Sequence, residues 1–204
     1  GVVAVYFGEG ASSEGDFHEA SNLAGVMRVP LVMLLINNHY AISTPVHRQT
    51  AAPQLASRAE GYGFPGFVVD GNDLFAVYAT TIDAVNRALS GGGPTLIECR
   101  TYRMGFHNTS DNPREYRDQA ELDDAEQRDP IERVRRFATR EGIWSAARET
   151  AALDEIRSAI EIAQREVEEL PRPGAAAIFE HVYETLSPRL LRQRAEALDD
   201  ATPS

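Results

Sequence analysis

Lysine is absent from this 204-residue sequence, and all 20 of its basic residues are arginine. The 31 acidic residues give a formal net charge of -11, which makes nucleic acid a poor candidate partner. Using arginine in place of every lysine is typical of a GC-rich genome, so we interpret the source as bacterial.

Cysteine is almost absent, and long apolar runs are missing. The single cysteine, Cys99, excludes an internal disulfide framework and a cysteine-based zinc site. No apolar stretch approaches the roughly 20 residues that span a bilayer, so we expect no membrane partner. The sequence begins without a methionine and inside an apparent core strand. We therefore expect it to be the C-terminal part of a longer protein.

What is present is a soluble composition with alternating strand and helix patterns. Residues 2–7 are mostly β-branched and predict a buried strand. A helical pattern follows, and Ser13 with Asp16 resembles a capping box at its start. Pro30 ends that helix, and residues 31–36 predict the next strand. This strand–helix–strand order is the unit of a parallel sheet with a right-handed crossover.

The alternation continues along the chain. Residues 67–69 and 95–102 predict further strands, and a helix begins at Asp73 between them. The polar, turn-rich residues 103–119 are long enough to form a functional loop. Helical patterns fill the remaining sequence. The order predicts an α/β domain followed by a helical extension.

Polar groups stand at the ends of the first two predicted strands. "GEG" contains Glu9, and Asn37-Asn38 follow after 26 residues, from 11 to 36. Ligands of parallel sheets bind beyond the carboxyl ends of the strands. Carboxylate and amide oxygens are hard ligands that magnesium prefers, and magnesium is commonly shared with phosphates. Gly8 and Gly10 let the backbone approach a ligand closely, and the following helix can direct N–H groups to a diphosphate.

Other phosphate and hydrolase motifs do not fit these residues. Ser13 stands where a dinucleotide-binding GxGxxG needs its third glycine, and Asp16 stands where a Walker motif needs lysine. Ser12 is not in a GxSxG elbow. Simpler interpretations stay open at this point, because asparagine suits turns and a carboxylate at a strand end can face solvent.

The glycine-flanked carboxylate, the spacer and the Asn-Asn pair resemble the thiamine diphosphate motif. Four longer stretches resemble the alpha subunits of branched-chain 2-oxo acid dehydrogenases: "YFGEGASSEGDFHEASNLAG", "NNHYAISTP", "VDGNDLFAVY" and "TYRMGFHNTSDNPREYR". Pyruvate dehydrogenase alpha subunits are a close alternative, although they usually have aspartate in place of Glu9. The resemblance implies a partial parallel-sheet thiamine-diphosphate-binding fold, with a cofactor-binding α/β domain over residues 1–118 and a helical extension over 119–204.

The resemblance also implies roles for residues at the strand ends. Glu9, the Asn38 side chain and the Tyr40 backbone carbonyl would hold magnesium, which in turn holds the diphosphate of thiamine diphosphate. Gly10 and Ala11 would contact the diphosphate through their backbone.

Two further positions follow from the same resemblance. His107 matches the family histidine that reaches the cofactor and assists acyl transfer to lipoate, so it would be both catalytic and cofactor-binding. Tyr102, Arg103 and Asp111 would help to order its loop. By this resemblance Ile36 would lie beside the cofactor, at a position where branched-chain enzymes often have arginine. The chain would then lack one cationic contact to the diphosphate, worth ~1–3 kcal/mol.

The implied activity is oxidative decarboxylation of branched-chain 2-oxo acids, with acyl transfer to a lipoyl domain. The implied partners are a beta subunit, in a heterotetramer of two alpha and two beta chains, and a lipoyl-bearing acyltransferase. The location would be cytoplasmic in a bacterium, or the mitochondrial matrix in a eukaryote. Alternatives are a pyruvate or acetoin dehydrogenase alpha subunit, a catalytically degenerate scaffold, and an unrelated magnesium-dependent phosphate-binding α/β enzyme.

Overall fold

A computed structural model describes residues 1–200 of the chain. Its strands are β1 Val3–Gly8, β2 Leu31–Asn37, β3 Tyr40–Ala41, β4 Thr44–Pro45, β5 Gly66–Asp70 and β6 Thr95–Arg100. Its α-helices are α1 Gly15–Met27, α2 Arg58–Gly61, α3 Leu74–Leu89, α4 Gln119–Glu126, α5 Pro130–Arg140, α6 Ala146–Glu168, α7 Ala177–Glu180 and α8 Pro188–Asp200. Short 3₁₀ turns lie at Ala11–Ser13, Val46–Arg48, Leu55–Ser57 and Pro113–Glu115.

Four strands form one parallel sheet in the order β1-β2-β6-β5. Gly8 pairs with Ile36, and Ile36 pairs with Cys99, so three strands end at almost the same level. The carboxyl ends of neighbouring parallel strands therefore meet at one edge. The predicted α/β fold with a parallel sheet is confirmed, and the residues after β1 and β2 are neighbours.

The central strands β2 and β6 are buried between two apolar clusters because alternate residues of a strand point to opposite faces. The edge strand β1 is largely exposed, so the prediction of a buried first strand is wrong. One cluster consists of Phe17, Met33, Leu35, Leu55, Ala59, Phe64 and Leu96. The other consists of Val32, Leu34, Val69, Ala84, Ile97 and Cys99. Burying each large apolar side chain contributes about 1.5–3 kcal/mol. Burial also raises the pKa of the Cys99 thiol, in keeping with a core role.

Helix α3 begins where the sequence predicts it. The Asp73 side chain accepts hydrogen bonds from the N–H groups of Phe75 and Ala76, at 3.0 and 3.1 Å. This cap satisfies two backbone donors that have no partner inside the helix.

Helix α1 begins differently from the prediction, and the capping box at Ser13 is wrong. Ser13 ends the 3₁₀ turn Ala11–Ser13, and Glu14 precedes the helix without a side-chain cap. The Ser13 N–H donates to the Gly10 carbonyl at 3.0 Å. The backbone after β1 is therefore held in a tight turn before the helix starts.

The hairpin of β3 and β4 was not anticipated, because two-residue strands show no periodicity in a sequence. It lies in the segment that follows β2. Helix α4 begins at Gln119, where the sequence predicts that the helical patterns begin.

The chain divides into two compact units, Gly1–Trp144 and the part from Ser145 onward. The first contains the sheet, and the second contains α6, α7 and α8. The predicted boundary after residue 118 stays a prediction. Within residues 1–200, no helix combines the length and apolarity that crossing a membrane requires.

Gly66 lies where β5 passes close to the turn before α2. A Cβ atom at Gly66 would lie 2.0 Å from the Ala56 carbonyl oxygen and 3.2 Å from the Ala59 Cβ. We therefore expect Gly66→Ala to lower the free energy of unfolding by about 1–3 kcal/mol, measured by chemical denaturation. Gly61→Ala is the control, since a Cβ at Gly61 meets nothing within 4 Å. Equal stability of the two variants would contradict this packing.

Candidate functional site at the strand ends

Glu9 follows β1 directly and is buried, with 1% of its surface exposed. Its Oε2 accepts a hydrogen bond from the backbone N–H of Asn38 at 3.2 Å, which joins the ends of β1 and β2. Its Oε1 is buried and has no hydrogen-bond partner among the described residues. A buried carboxylate oxygen without a donor is costly, so this atom favours a cation beside it.

The two asparagines form the turn that follows β2. Asn37 Oδ1 accepts from the His39 N–H at 3.2 Å, and Asn38 Oδ1 accepts from the Tyr40 N–H at 3.3 Å. His39 has φ of 75°, in the left-handed region that residues other than glycine rarely adopt. The turn role of asparagine and a ligand role for Asn38 are compatible, because an amide oxygen has two lone pairs.

Gly10 packs against the hairpin that the asparagines introduce. A Cβ at Gly10 would lie 2.8 Å from the Ala41 Cβ, so a larger residue would push the two segments apart. The fully buried Ser12 closes this turn by donating its hydroxyl to the Glu9 carbonyl at 2.5 Å. The Gly10 backbone therefore lies beside the Asn38 turn in a closely packed arrangement.

Arg58, at the start of α2, holds the same turn from the other side. Its Nη1 donates to the Ser12 hydroxyl at 2.8 Å and also to the Ser12 carbonyl. Burial lowers the pKa of this guanidinium. Nothing in the local sequence indicated Arg58, because its partner lies 46 residues earlier in the chain.

The Tyr40 carbonyl, a predicted metal ligand, accepts from Arg103 Nη1 at 2.8 Å. The other Arg103 nitrogen, Nη2, donates to the Tyr116 hydroxyl at 2.9 Å, and that hydroxyl donates to Asp111 at 2.7 Å. The Asp111 carboxylate also accepts the His107 N–H at 2.8 Å. This chain of bonds connects the loop of His107 to the turn of Tyr40.

Hydrogen bonds hold Asp111 in its charged form. The His107 N–H contributes most and the Tyr116 hydroxyl next, and together they lower the pKa of the Asp111 carboxyl. The charged carboxylate therefore stabilises the conformation of the loop, because it accepts hydrogen bonds from donors on both sides of it in the sequence.

The Tyr40 side chain is anchored by a residue that the sequence did not indicate. Its hydroxyl donates to Glu121 Oε2 at 2.8 Å, and the Tyr102 hydroxyl donates to the same oxygen at 3.1 Å. Burial, followed by the hydrogen bond to Glu121, raises the pKa of Tyr40 to about 12. Glu121 lies on α4, 81 residues after Tyr40.

A second buried carboxylate, Glu98, lies on β6 and is fully buried. It accepts hydrogen bonds from Asn37 Nδ2 at 2.8 Å, the Ala56 N–H at 2.9 Å and Arg100 Nε at 3.1 Å. Burial acts to raise the pKa of Glu98, but these donors outweigh it and hold the pKa below its usual value. Sequence reasoning did not single out this residue.

The remaining predicted positions differ in their surroundings. Ile36 is half-buried and packs against the apolar cluster that contains Val69 and Ile97. His107 is exposed, and hydrogen bonds link it to Tyr40 by way of Asp111, Tyr116 and Arg103. The cofactor roles of Ile36 and His107 stay predictions.

The predicted magnesium ligands are all oxygen atoms: a carboxylate of Glu9, the side-chain amide of Asn38 and the backbone carbonyl of Tyr40. Across residues 1–200, no group of three or more His, Cys, Asp or Glu residues is placed to hold a metal. The predicted set contains only one such residue, Glu9, with an amide and a backbone oxygen. The unpartnered Glu9 Oε1, together with free lone pairs on Asn38 and Tyr40, fits an oxygen-coordinated divalent cation.

Cavities of about 470, 270 and 630 Å³ lie near this edge of the sheet, and the one of about 270 Å³ is lined by His39, Tyr40 and Glu121, among others. One of about 470 Å³ is lined by Asn37, His39, His47, Glu98 and Arg100, among others, and adjoins the asparagine turn. A larger groove of about 630 Å³ lies at the far strand, between α3 and α5. Its wall carries ion pairs from Arg133 to Asp70 and Asp73, and none of Glu9, Asn37 and Asn38 lines it.

Comparison with known proteins gives three findings. Residues 1–176 match the family model described as "Dehydrogenase E1 component". The 3-methyl-2-oxobutanoate dehydrogenase subunit alpha of Mycobacterium tuberculosis is 46% identical over 198 residues, covering 96% of this chain and 53% of the relative. The pyruvate dehydrogenase E1 component subunit alpha of Staphylococcus aureus is 39% identical over 193 residues, covering 94% and 52%. The chain thus spans about half the length of the curated relatives it matches.

The Asp111 bonds predict how the loop of His107 responds to mutation. Asp111→Ala removes the acceptor for the His107 N–H and the Tyr116 hydroxyl, so we expect faster cleavage within residues 103–117 under limited proteolysis. Asp118→Ala is the control, since it removes the same charge from an exposed side chain that makes no capping bond. Identical cleavage rates in the two variants would show that these bonds do not hold the loop.

Proposed function

Because the chain belongs to the dehydrogenase E1 component family, we propose that it is part of the alpha subunit of a thiamine-diphosphate-dependent 2-oxo acid dehydrogenase. The observation that supports this most directly is Glu9 Oε1, a buried carboxylate oxygen without a donor among the described residues. Glu9 lies next to Asn38, whose N–H donates to its other oxygen, and two residues that bind one cation have to be neighbours. Thiamine diphosphate, when bound, supplies the electron sink for decarboxylation of a 2-oxo acid.

In this proposal the chain holds the cofactor by its diphosphate end. Glu9, Asn38 Oδ1 and the Tyr40 carbonyl would coordinate magnesium, and the backbone of Gly10 and Ala11 would contact the diphosphate. The lack of a side chain at Gly10 supports this, because it lets the turn lie against Ala41. The anchoring of Tyr40 through Glu121 and Arg103 would keep its carbonyl in place.

His107 would act later in the reaction. Its exposed position on a loop held by Asp111 supports contact with both a cofactor and an incoming lipoyl arm. We propose that it assists acyl transfer to the lipoyl-bearing acyltransferase. A beta subunit would complete the site, in a heterotetramer of two alpha and two beta chains, by supplying the carboxylate that activates the cofactor.

For the substrate we propose branched-chain 2-oxo acids, with pyruvate as the alternative. The relative at 46% identity is named for 3-methyl-2-oxobutanoate, and that at 39% for pyruvate. Glu9 and the "AIST" stretch favour the branched-chain type. The named relatives are bacterial, and we propose a cytoplasmic location.

A catalytically degenerate scaffold is the second candidate, and Ile36 is the observation behind it. Its apolar side chain packs on the core cluster of Val69 and Ile97, so it offers no positive charge to a diphosphate. A scaffold would assemble with its partners without turnover.

Glu9→Gln tests the cation site. In the complete alpha chain assembled with its beta subunit, we expect magnesium-dependent binding of thiamine diphosphate to weaken by about 100-fold or more. This exceeds the about 10–100-fold effect of residues that only support ligands. Calorimetric titration measures the affinity. Glu14→Gln is the matched control, because Glu14 is exposed and lies five residues away. Unchanged affinity in Glu9→Gln would reject the assignment.

The substrate class is tested on the same heterotetramer. With thiamine diphosphate, magnesium and an artificial electron acceptor, we expect a higher kcat/KM for 3-methyl-2-oxobutanoate than for pyruvate. The reverse preference would assign the chain to the pyruvate type. Cofactor binding without turnover of either acid would support the scaffold.

A further inference from the structure

Glu98 is a fully buried carboxylate that the proposed cofactor contacts do not use. It lies within β6 and pairs in register with Leu35 of β2, one strand away from β1. A buried charge is tolerated only where donors compensate for the lost water, and both oxygens of Glu98 accept hydrogen bonds. Its two oxygens bond to two different segments, each of which leads to the strand-end site.

The first segment is the asparagine turn. Glu98 Oε1 accepts from Asn37 Nδ2 at 2.8 Å, so the Asn37 amide must turn its oxygen the other way. That oxygen accepts the His39 N–H at 3.2 Å. His39 has a left-handed backbone with φ of 75°, which needs support from its surroundings. Asn38 and Tyr40, on either side of His39, are the proposed magnesium ligands.

The second segment is the turn before α2. Glu98 Oε2 accepts the Ala56 N–H at 2.9 Å, which fixes the 3₁₀ turn that leads into Arg58. Arg58 donates to the Ser12 hydroxyl at 2.8 Å, and Ser12 donates to the Glu9 carbonyl at 2.5 Å. The other side of the proposed site is thus tied to the same carboxylate.

We propose that Glu98 is a positioning residue that sets the geometry of both halves of the strand-end site, through Asn37 on one side and Ala56 with Arg58 on the other. This inference rests on the proposed function, since it concerns how well the site holds magnesium and thiamine diphosphate. Glu98 is not among the proposed ligands, because each of its oxygens has a hydrogen-bond donor, whereas Glu9 Oε1 has none among the described residues.

The directions of these hydrogen bonds allow a test in which the carboxylate of Glu98 and the amide of Asn37 are exchanged. Glu98→Gln keeps the size but places an NH₂ group against a donor, either Asn37 Nδ2 or the Ala56 N–H. If Asn37 reverses its amide to accept from the new group, its own NH₂ faces the His39 N–H. Adding Asn37→Asp provides a carboxylate that accepts from both neighbours. The paired variant therefore restores the donors and acceptors at Asn37 and Ala56 and moves the negative charge from position 98 to position 37. Arg100 Nε loses its acceptor on Glu98 in both variants, but this side chain is partly exposed and can bond to water.

Two measurements follow in the complete alpha chain assembled with its beta subunit. We expect Glu98→Gln to weaken magnesium binding by about 10–100-fold at saturating thiamine diphosphate, and the paired variant to recover to within about threefold of wild type. In the cofactor-free protein, amide hydrogen exchange should quicken over residues 37–41 in Glu98→Gln and slow again in the paired variant. Calorimetry and mass spectrometry report these two effects.

Cys99→Ala is the control for a purely structural effect. Cys99 is a buried neighbour on β6 whose side chain belongs to an apolar cluster, so its truncation should lower stability and leave magnesium affinity unchanged. Equal magnesium affinity in Glu98→Gln and Cys99→Ala would overturn the proposal, as would a paired variant no better than Glu98→Gln. Wild-type protein that binds no thiamine diphosphate would reject the proposed function as well.

Two further variants test the same role if Glu98→Gln does not assemble with the beta subunit. Asn37→Ala removes the hydrogen bond between Glu98 and the asparagine turn. Arg58→Gln removes the guanidinium that links the turn before α2 to Ser12. We expect each to weaken magnesium binding by about tenfold, the lower end of the effect of supporting residues. Wild-type affinity in both variants would overturn the role of Glu98.

Discussion

The parallel register of β1, β2 and β6 is the constraint on which the rest of the structure depends. Because Gly8 pairs with Ile36 and Ile36 with Cys99, the three strands end together and their next residues are neighbours. The Glu9 carboxylate can then accept the Asn38 N–H. A slip of one residue would turn every side chain of a strand to the other face and separate these groups.

Around this edge, buried polar groups connect segments that are far apart in the chain. Glu98 joins the asparagine turn to the turn before α2, and Glu121 joins Tyr40 to the helix after the loop. Arg103 connects the loop of His107 to the asparagine turn, because it donates hydrogen bonds to both Tyr116 and the Tyr40 carbonyl. Such networks hold a site more rigidly the more completely their donors and acceptors are paired. Glu9 Oε1 is one of the buried atoms without a partner in the described part of the chain, and we propose that a cation is its partner.

Much of the fold was predictable because the relevant signals are local. The apolar strand patterns and the helix start at Asp73 each reflect a few neighbouring residues, and the observed elements agree with the predicted bounds within about two residues. The capping box at Ser13 was wrong because the Ser13 N–H, which a capping box would direct to the Asp16 side chain, donates to the Gly10 carbonyl instead. The β3–β4 hairpin escaped notice because two-residue strands have no period.

The sequence by itself determined the α/β alternation, the family resemblance and the placing of Glu9 and Asn38 at strand ends, since periodicity, turn residues and spacing are properties of short segments. The tertiary structure decided which groups support them. Arg58, Glu98 and Glu121 bond to residues 46, 42 and 81 positions away, and no local pattern reveals such pairs. Burial, and therefore which oxygen lacks a donor, arises only when the packed sheet and its surrounding turns exclude water together.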